Sequence, residues 1–189
     1  MEVFFGICLG LGLAAASGMR VTVPALVLAI AAKSGHVTLA EHFQWLATTP
    51  ALICLGVAAL LEIAGYFIPW VDHLLGSIAT PAAVIAGTLV AASTMGHLDP
   101  WLQWTLAVIA GGGAAGTVQL GTVAARALSL FTTGGIANPV VSLLEFLGSL
   151  LLSVLSVLLP LLGLILASMV LLVLCGAILL WRTRRVQAH

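Results

Sequence analysis

Between Pro139 and Trp181 the chain runs for 43 residues with a single charge, Glu145, and otherwise little but Leu, Val, Ala, Gly and Ser. At a rise of about 1.5 Å per residue, one helix of that length would reach about 65 Å, twice the roughly 30 Å hydrocarbon core of a bilayer. Such a stretch has to fold back on itself, and Pro160 with Gly163 is the hinge it offers. Four further apolar runs precede it. They are Val3 to Ala32, interrupted by Pro24; Ala51 to Ile68, ended by Pro69; a run from Thr80 and Pro81 to about Met95; and one continuing to about Phe131. Thr80 suits an N-cap and Pro81 the first helical position, and Asn138 with Pro139 repeats that signal. The pattern predicts an all-α membrane protein with six transmembrane helices. Composition agrees: 62% of the 189 residues are hydrophobic and 6% charged, with a mean hydropathy of +1.25, whereas about a quarter of the residues in soluble domains are charged.

The polar stretch "KSGHVTLAEHFQWLATTP" has room for a short interfacial helix, and Trp101 and Trp104 in "GHLDPWLQW" fit an aromatic belt at the start of helix four. The chain opens "MEVFF", lacks a positive leading region and stays apolar to Ala32, so its first segment reads as retained and not as a signal peptide. Cys8, Cys54 and Cys175 stand alone in apolar runs and read as small buried hydrophobes. Arg182, Arg184 and Arg185 place the C-terminus in the cytoplasm of a multi-pass protein of the cell inner membrane. An even helix count then places the N-terminus there too, with Lys33 as the contrary signal. No other basic tract exists and net charge is zero, so nothing points to nucleic acid.

Two internal matches suggest duplication. Shifting by one hundred residues aligns Gly12, Ala14, Ala15, Thr22 and Val23 with Gly112, Ala114, Ala115, Thr122 and Val123. Shifting by eighty-three aligns "LLEIAG" at Leu60–Gly65 with "LLEFLG" at Leu143–Gly148. Residues 1–96, with a long loop at 33–50, then form one three-helix repeat, 97–185 a second, and 186–189 a tail. An odd helix count per unit makes the repeats inverted, a plan of many secondary transporters. Gly and Ala at every third or fourth place in "GICLGLGLAAASG" and "AGGGAAG" let backbones approach closely, and predict that helices one and four cross.

Four ionisable residues fall inside predicted spans: Arg20, Glu62, Arg126 and Glu145. A charge at the bilayer centre costs several kcal/mol, so each has to face a partner or a water-filled cavity. Two readings stand side by side: structural Arg/Glu pairs that set helix register, or a polar site between the repeats that takes an ion or small polar solute. Counting from Pro69 and Pro139 puts Glu62 and Glu145 about 9 to 10 Å from the same face. Strict inversion would instead mirror them across the midplane. Thr22, Thr122, Ser17, Thr117 and Gln119 add uncharged polar groups on helices one and four, though any one buried hydroxyl tends to bond its own helix. Asp72 and His73, with the helix starts at Thr80 and Asn138, suggest an anion-attracting mouth beneath Glu62. His36, Glu41, His42, His97 and Asp99 match no zinc spacing, so no metal or other cofactor is expected.

The stretches "GLGLAAASGMRV", "YFIPWVDHLLGSIATPAAVIAGTL", "AGGGAAGTVQ" and "TTGGIANPVVSLLE" resemble those of a bacterial integral-membrane family, domain of unknown function 4126. The resemblance covers most of the chain and implies a multi-helix membrane fold but no activity; the last helix pair matches only in being apolar. Without an HExxH pair, a GxSxG elbow or a Cys/His dyad, an enzyme is not expected. The leading expectation is a small channel or secondary transporter for an ion or small polar solute. Its candidate site comprises Glu62, Glu145, Arg126, Arg20, Asp72, Thr22, Thr122, Gln119 and Asn138. The alternative is a non-transporting scaffold or assembly factor. The lipid bilayer is the expected surrounding, with room for a homo-oligomer.

Overall fold

The computed structural model describes residues 2–65, 69–134 and 136–186, with side chains described outside 69–77 and 177–186. The described chain is all-helical: α1 Glu2–Ser17, α2 Thr22–Lys33, α3 Thr49–Gly65, α4 Pro69–Thr94, α5 Pro100–Leu106, α6 Gly113–Thr133, α7 Asn138–Leu158 and α8 Pro160–Val186. A 3-10 helix, Glu41–Ala47, occupies the polar loop, as the sequence predicts, and buries Phe43 and Leu46. Asp99 starts α5 by accepting the Trp101 N–H at 3.0 Å. A π-helical stretch, Ala107–Gly112, joins α5 to α6, so that Pro100–Thr133 is continuous over 34 residues.

The first apolar run is two helices and not one. α1 stops at Ser17, residues 18–21 turn, and α2 comes back alongside it. Leu9, Leu13 and Leu28 share one buried cluster, and Glu2, Phe5 and Leu9 line one cavity with His36 and Val37. In a continuous helix Leu13 and Leu28 would lie about 22 Å apart. The break is therefore at Gly18–Val21; Pro24 sits in the first turn of α2, where its missing N–H has no helical partner to lose. With 16 and 12 residues, α1 and α2 are only about 24 and 18 Å long, short of a roughly 30 Å crossing. They form a hairpin that enters and leaves the molecule at one end.

The remaining helices alternate in direction. Lys33 Nζ donates to Thr49 Oγ1 at 2.6 Å, at the open end of the hairpin, and α3 then runs antiparallel to α2 toward the tip. α4 returns, and Thr94 Oγ1 donates to the Gly6 carbonyl at 3.0 Å. α5 and α6 lead away and α7 comes back, with Val157 lining the cavity beside Glu2. The chain reverses at Leu159, and α8 departs from Pro160, the hinge that the sequence predicts. His97 Nε2 lies 3.7 Å from a Glu2 carboxylate oxygen, so the N-terminus shares an end with the His97 loop. α8 begins at that same end and runs away from it, past the hairpin tip at Leu174. The hairpin thus uses a reversal that a single straight first helix would spend on a crossing.

Two other expectations change. α4 starts at Pro69 and carries Pro81 inside it, so Thr80 and Pro81 do not begin a helix. Continuing the helix through Pro81 forfeits one N–H bond but keeps the other backbone groups paired, which outweighs a break in apolar surroundings. Among the described residues, length and apolar composition qualify two helices to cross alone, Pro100–Thr133 and Asn138–Leu158, and a third if the 3-10 helix and α3, bent by 68°, act together. α4 and α8 have 26 and 27 residues.

α1 is the centre of the packing, against α4, α7 and α8. Its small residues make this contact feasible: a Cβ on Gly10 would meet the Ala91 backbone, and one on Gly12 or Gly163 would collide with Ser156. Gly18 abuts the Ala115 carbonyl, so the first and fourth apolar runs do cross. Outside this core the surface is apolar, with Leu60, Leu61, Leu128, Leu144 and Leu172 each more than half exposed, as suits hydrocarbon and not water. Cys8 is buried as expected, whereas Cys54 and Cys175 belong to that outer surface.

Candidate functional site at the hairpin tip

The α7 sequence "SLLEFLGSLLLSVLS" places Ser142, Glu145, Ser149, Ser153 and Ser156 at helical spacing on one face, all buried. This face meets α1. Ser149 Oγ donates to the Ala16 carbonyl at 3.0 Å, which also accepts the N–H groups of Met19 (3.0 Å) and Arg20 (3.2 Å). The exposed carbonyl end of α1 is thereby satisfied where the chain turns. Ser153 and Ser156 donate to Ser149 O and Leu152 O of their own helix, both at 2.7 Å.

Arg20 sits in that turn and is 2% exposed. Its Nη2 donates to the Ser142 carbonyl at 2.7 Å and to Ser142 Oγ, and lies 3.5 Å from Glu145 Oε2. From α6, Arg126 Nε donates to Glu145 Oε1 at 3.1 Å while Nη2 engages Oε2, a two-pronged pairing that holds the carboxylate plane. One carboxylate thus ties together the hairpin tip, α6 and α7.

Glu62 acts on the other side of the turn. Its carboxylate accepts the Val21 N–H at 3.2 Å, the Thr22 N–H at 3.1 Å and the Thr22 hydroxyl. The N-terminus of α2 has no cap from its own neighbours, and a helix start carries partial positive charge, so an acid reaching over from α3 both caps and neutralises it. The matching hexapeptides therefore converge on one four-residue turn, Glu145 through the side chain of Arg20 and Glu62 through the backbone beyond it. Glu62 and Glu145 lie at a similar level, as the distance count predicts, but their partners differ.

The other candidates separate. Thr22 is in the site. Thr122 donates to the Gln119 carbonyl at 2.9 Å and Ser17 to Leu13 O at 3.0 Å, each within its own helix; Gln119 is buried on α6. Asn138 begins α7 but caps nothing, and its Oδ1 is buried with no hydrogen bond among the described residues. The side chains of Asp72 and His73 lie outside the described residues. Sequence reasoning missed Ser142 and Ser149, although the helical period of serines in an otherwise Leu-rich segment marks a buried polar face.

A cleft of about 320 Å³ between α6, α7 and α8 reaches Glu145 from the outer surface. The model of a family described as a domain of unknown function, DUF4126, matches residues 7–182. The chain belongs to that family. No curated protein and no solved structure matches it. The DUF4126 match takes in the hairpin from Ile7 onward, both acids and both arginines, so the site lies wholly within the family domain.

Proposed function

We propose that this DUF4126 protein is a channel or secondary transporter for an ion or small polar solute, working at the hairpin tip, and not an enzyme. The observation that carries the reading is the tip itself. A reversal between two short helices brings Arg20 to Glu145, about 10 Å along α7 from its start. Paired half-helix ends facing a polar cluster are a recurrent way to build an ion or solute site within a membrane. In the proposed arrangement α3, α4, the α5–α6 rod, α7 and α8 cross, and the hairpin dips in and returns. Arg182, Arg184 and Arg185 place the α8 end in the cytoplasm of an inner membrane, and the Glu2 end outside. Residues 1–96 and 97–185 carry the matched segments but not as the inverted repeats expected from the sequence, because Ala14 lies beside Gly111 and Gly18 beside Ala115, so that α1 and the α5–α6 rod run in the same direction.

The scaffold reading has one observation in its favour: the oxygens of Glu62 and Glu145 are all engaged by protein donors. Flux into proteoliposomes, screened over monovalent cations, anions and amines, separates the two. For a transporter, Glu62→Gln and Glu145→Gln each keep the fold and abolish flux. Unchanged flux in both variants would decide for the scaffold, since losing an ion-pair partner lowers the melting temperature on either reading.

A further inference from the structure

We propose that the cleft between α6, α7 and α8 holds one acyl chain of a membrane lipid, and that this chain packs against the hairpin tip. The cleft, about 320 Å³, is walled by Val118, Val141, Leu144, Val170 and Leu174, with Met19 of the tip at its inner side. Its two side chains bearing oxygen, Thr122 and Glu145, offer little to a guest. The Thr122 hydroxyl donates to Gln119 O at 2.9 Å, and both Glu145 oxygens are engaged by guanidinium groups. Water is retained in a protein cavity where it finds two to four polar partners, and apolar cavities stay dry. The space equals on the order of ten waters at ~30 Å³ each, so a dry guest has to be extended and apolar.

Depth and surroundings name that guest. Glu145 lies about 10 Å inward along α7, a level occupied by lipid chains and not headgroups if α7 crosses the bilayer. The helices around the cleft turn Leu120, Leu128, Leu144, Leu172 and Val173 outward, each more than half exposed. Hydrocarbon is therefore the phase at its mouth. The guest would lie on Met19, whose flexible thioether adapts to a mobile neighbour and which directly precedes Arg20. Chain occupancy would then brace the turn that holds Arg20 on Glu145. The inference rests on membrane embedding and stands whether or not the chain transports.

The full-length protein in palmitoyl-oleoyl phosphatidylcholine vesicles, doped with a phosphatidylcholine carrying a diazirine on one acyl chain, provides the test. After irradiation, adducts on Thr122 and Val141 are expected. Ala125→Phe, which fills the cleft from an exposed position, should abolish them and leave adducts on the outward segment Leu161–Ile165. Val170→Phe is a second filling variant should the first fail to fold. Adducts unaffected by filling, or spread evenly over all outward faces, would overturn the proposal. So would labelling of Val141→Cys, with Cys8, Cys54 and Cys175 replaced by Ala, by a membrane-impermeant methanethiosulfonate. That outcome makes the cleft aqueous and a candidate solute path, whereas loss of flux in the Glu145→Gln variant bears only on the transport reading.

Discussion

A carboxylate shared by two guanidinium groups, as Glu145 is by Arg20 and Arg126, sets the direction of every change at those three residues. Removing one partner from a buried ion pair leaves an uncompensated charge and costs about 3–5 kcal/mol. Glu145→Gln should therefore lower the melting temperature in detergent, since the two arginines are left facing a neutral amide. Arg126→Gln in that background removes one of the opposing charges and should recover part of the loss. A double variant less stable than either single one would contradict the shared-carboxylate arrangement. Glu62 predicts a smaller effect. It caps α2, and losing a cap costs about 1 kcal/mol, so Glu62→Ala and Thr22→Val should each shift the melt modestly. Because both changes remove the same contact, their combination should fall short of the sum.

Among the helices, the hairpin depends on small residues where backbones touch. A side chain at Gly18 would run into the Ala115 carbonyl and Val118, and one at Gly12 into Ser156. Overpacking of this kind costs about 1–3 kcal/mol, so Gly12→Val and Gly18→Val should destabilise the protein in detergent melts. Gly56 of α3 is a control, since a Cβ there meets nothing within 4 Å. Ala is the better helix former by about 1 kcal/mol, so Gly56→Ala should be neutral or stabilising. Equal losses at all three sites would mean that general helix damage, and not close packing, governs the result. The same small residues let Ser149 reach the Ala16 carbonyl, which joins hairpin and α7 without a bulky contact.

Across the whole molecule, the decisive consequence is sidedness. Reporter fusions at Met1 and His189 should report opposite faces, and fusions at Met1 and His97 the same face. Met1 and His189 on one face would rule out the hairpin, because it is the hairpin that returns the chain to its starting end before α3. The apolar helices, the α7–α8 hinge and the need of Arg20, Glu62, Arg126 and Glu145 for polar partners were legible from the chain alone. Apolar length, a proline in a long run and a charge in hydrocarbon each carry a free-energy consequence that depends on neighbouring residues only weakly. The similar depth of Glu62 and Glu145 was also legible by counting from Pro69 and Pro139, whereas the pairing of Glu145 with Arg126 was not singled out. The reversal at Gly18–Val21 was not legible: "ASGMRV" has no proline, and its break is stabilised by Glu62 and Ser149, distant in sequence. Equally hidden was the unbroken helix through Pro81, whose lost hydrogen bond is offset only by the packing and backbone pairing around it. Local composition decided which residues form apolar helices and which charges are expensive among them. Only tertiary structure decided where the chain turns, because the groups that satisfy a broken helix come from other helices.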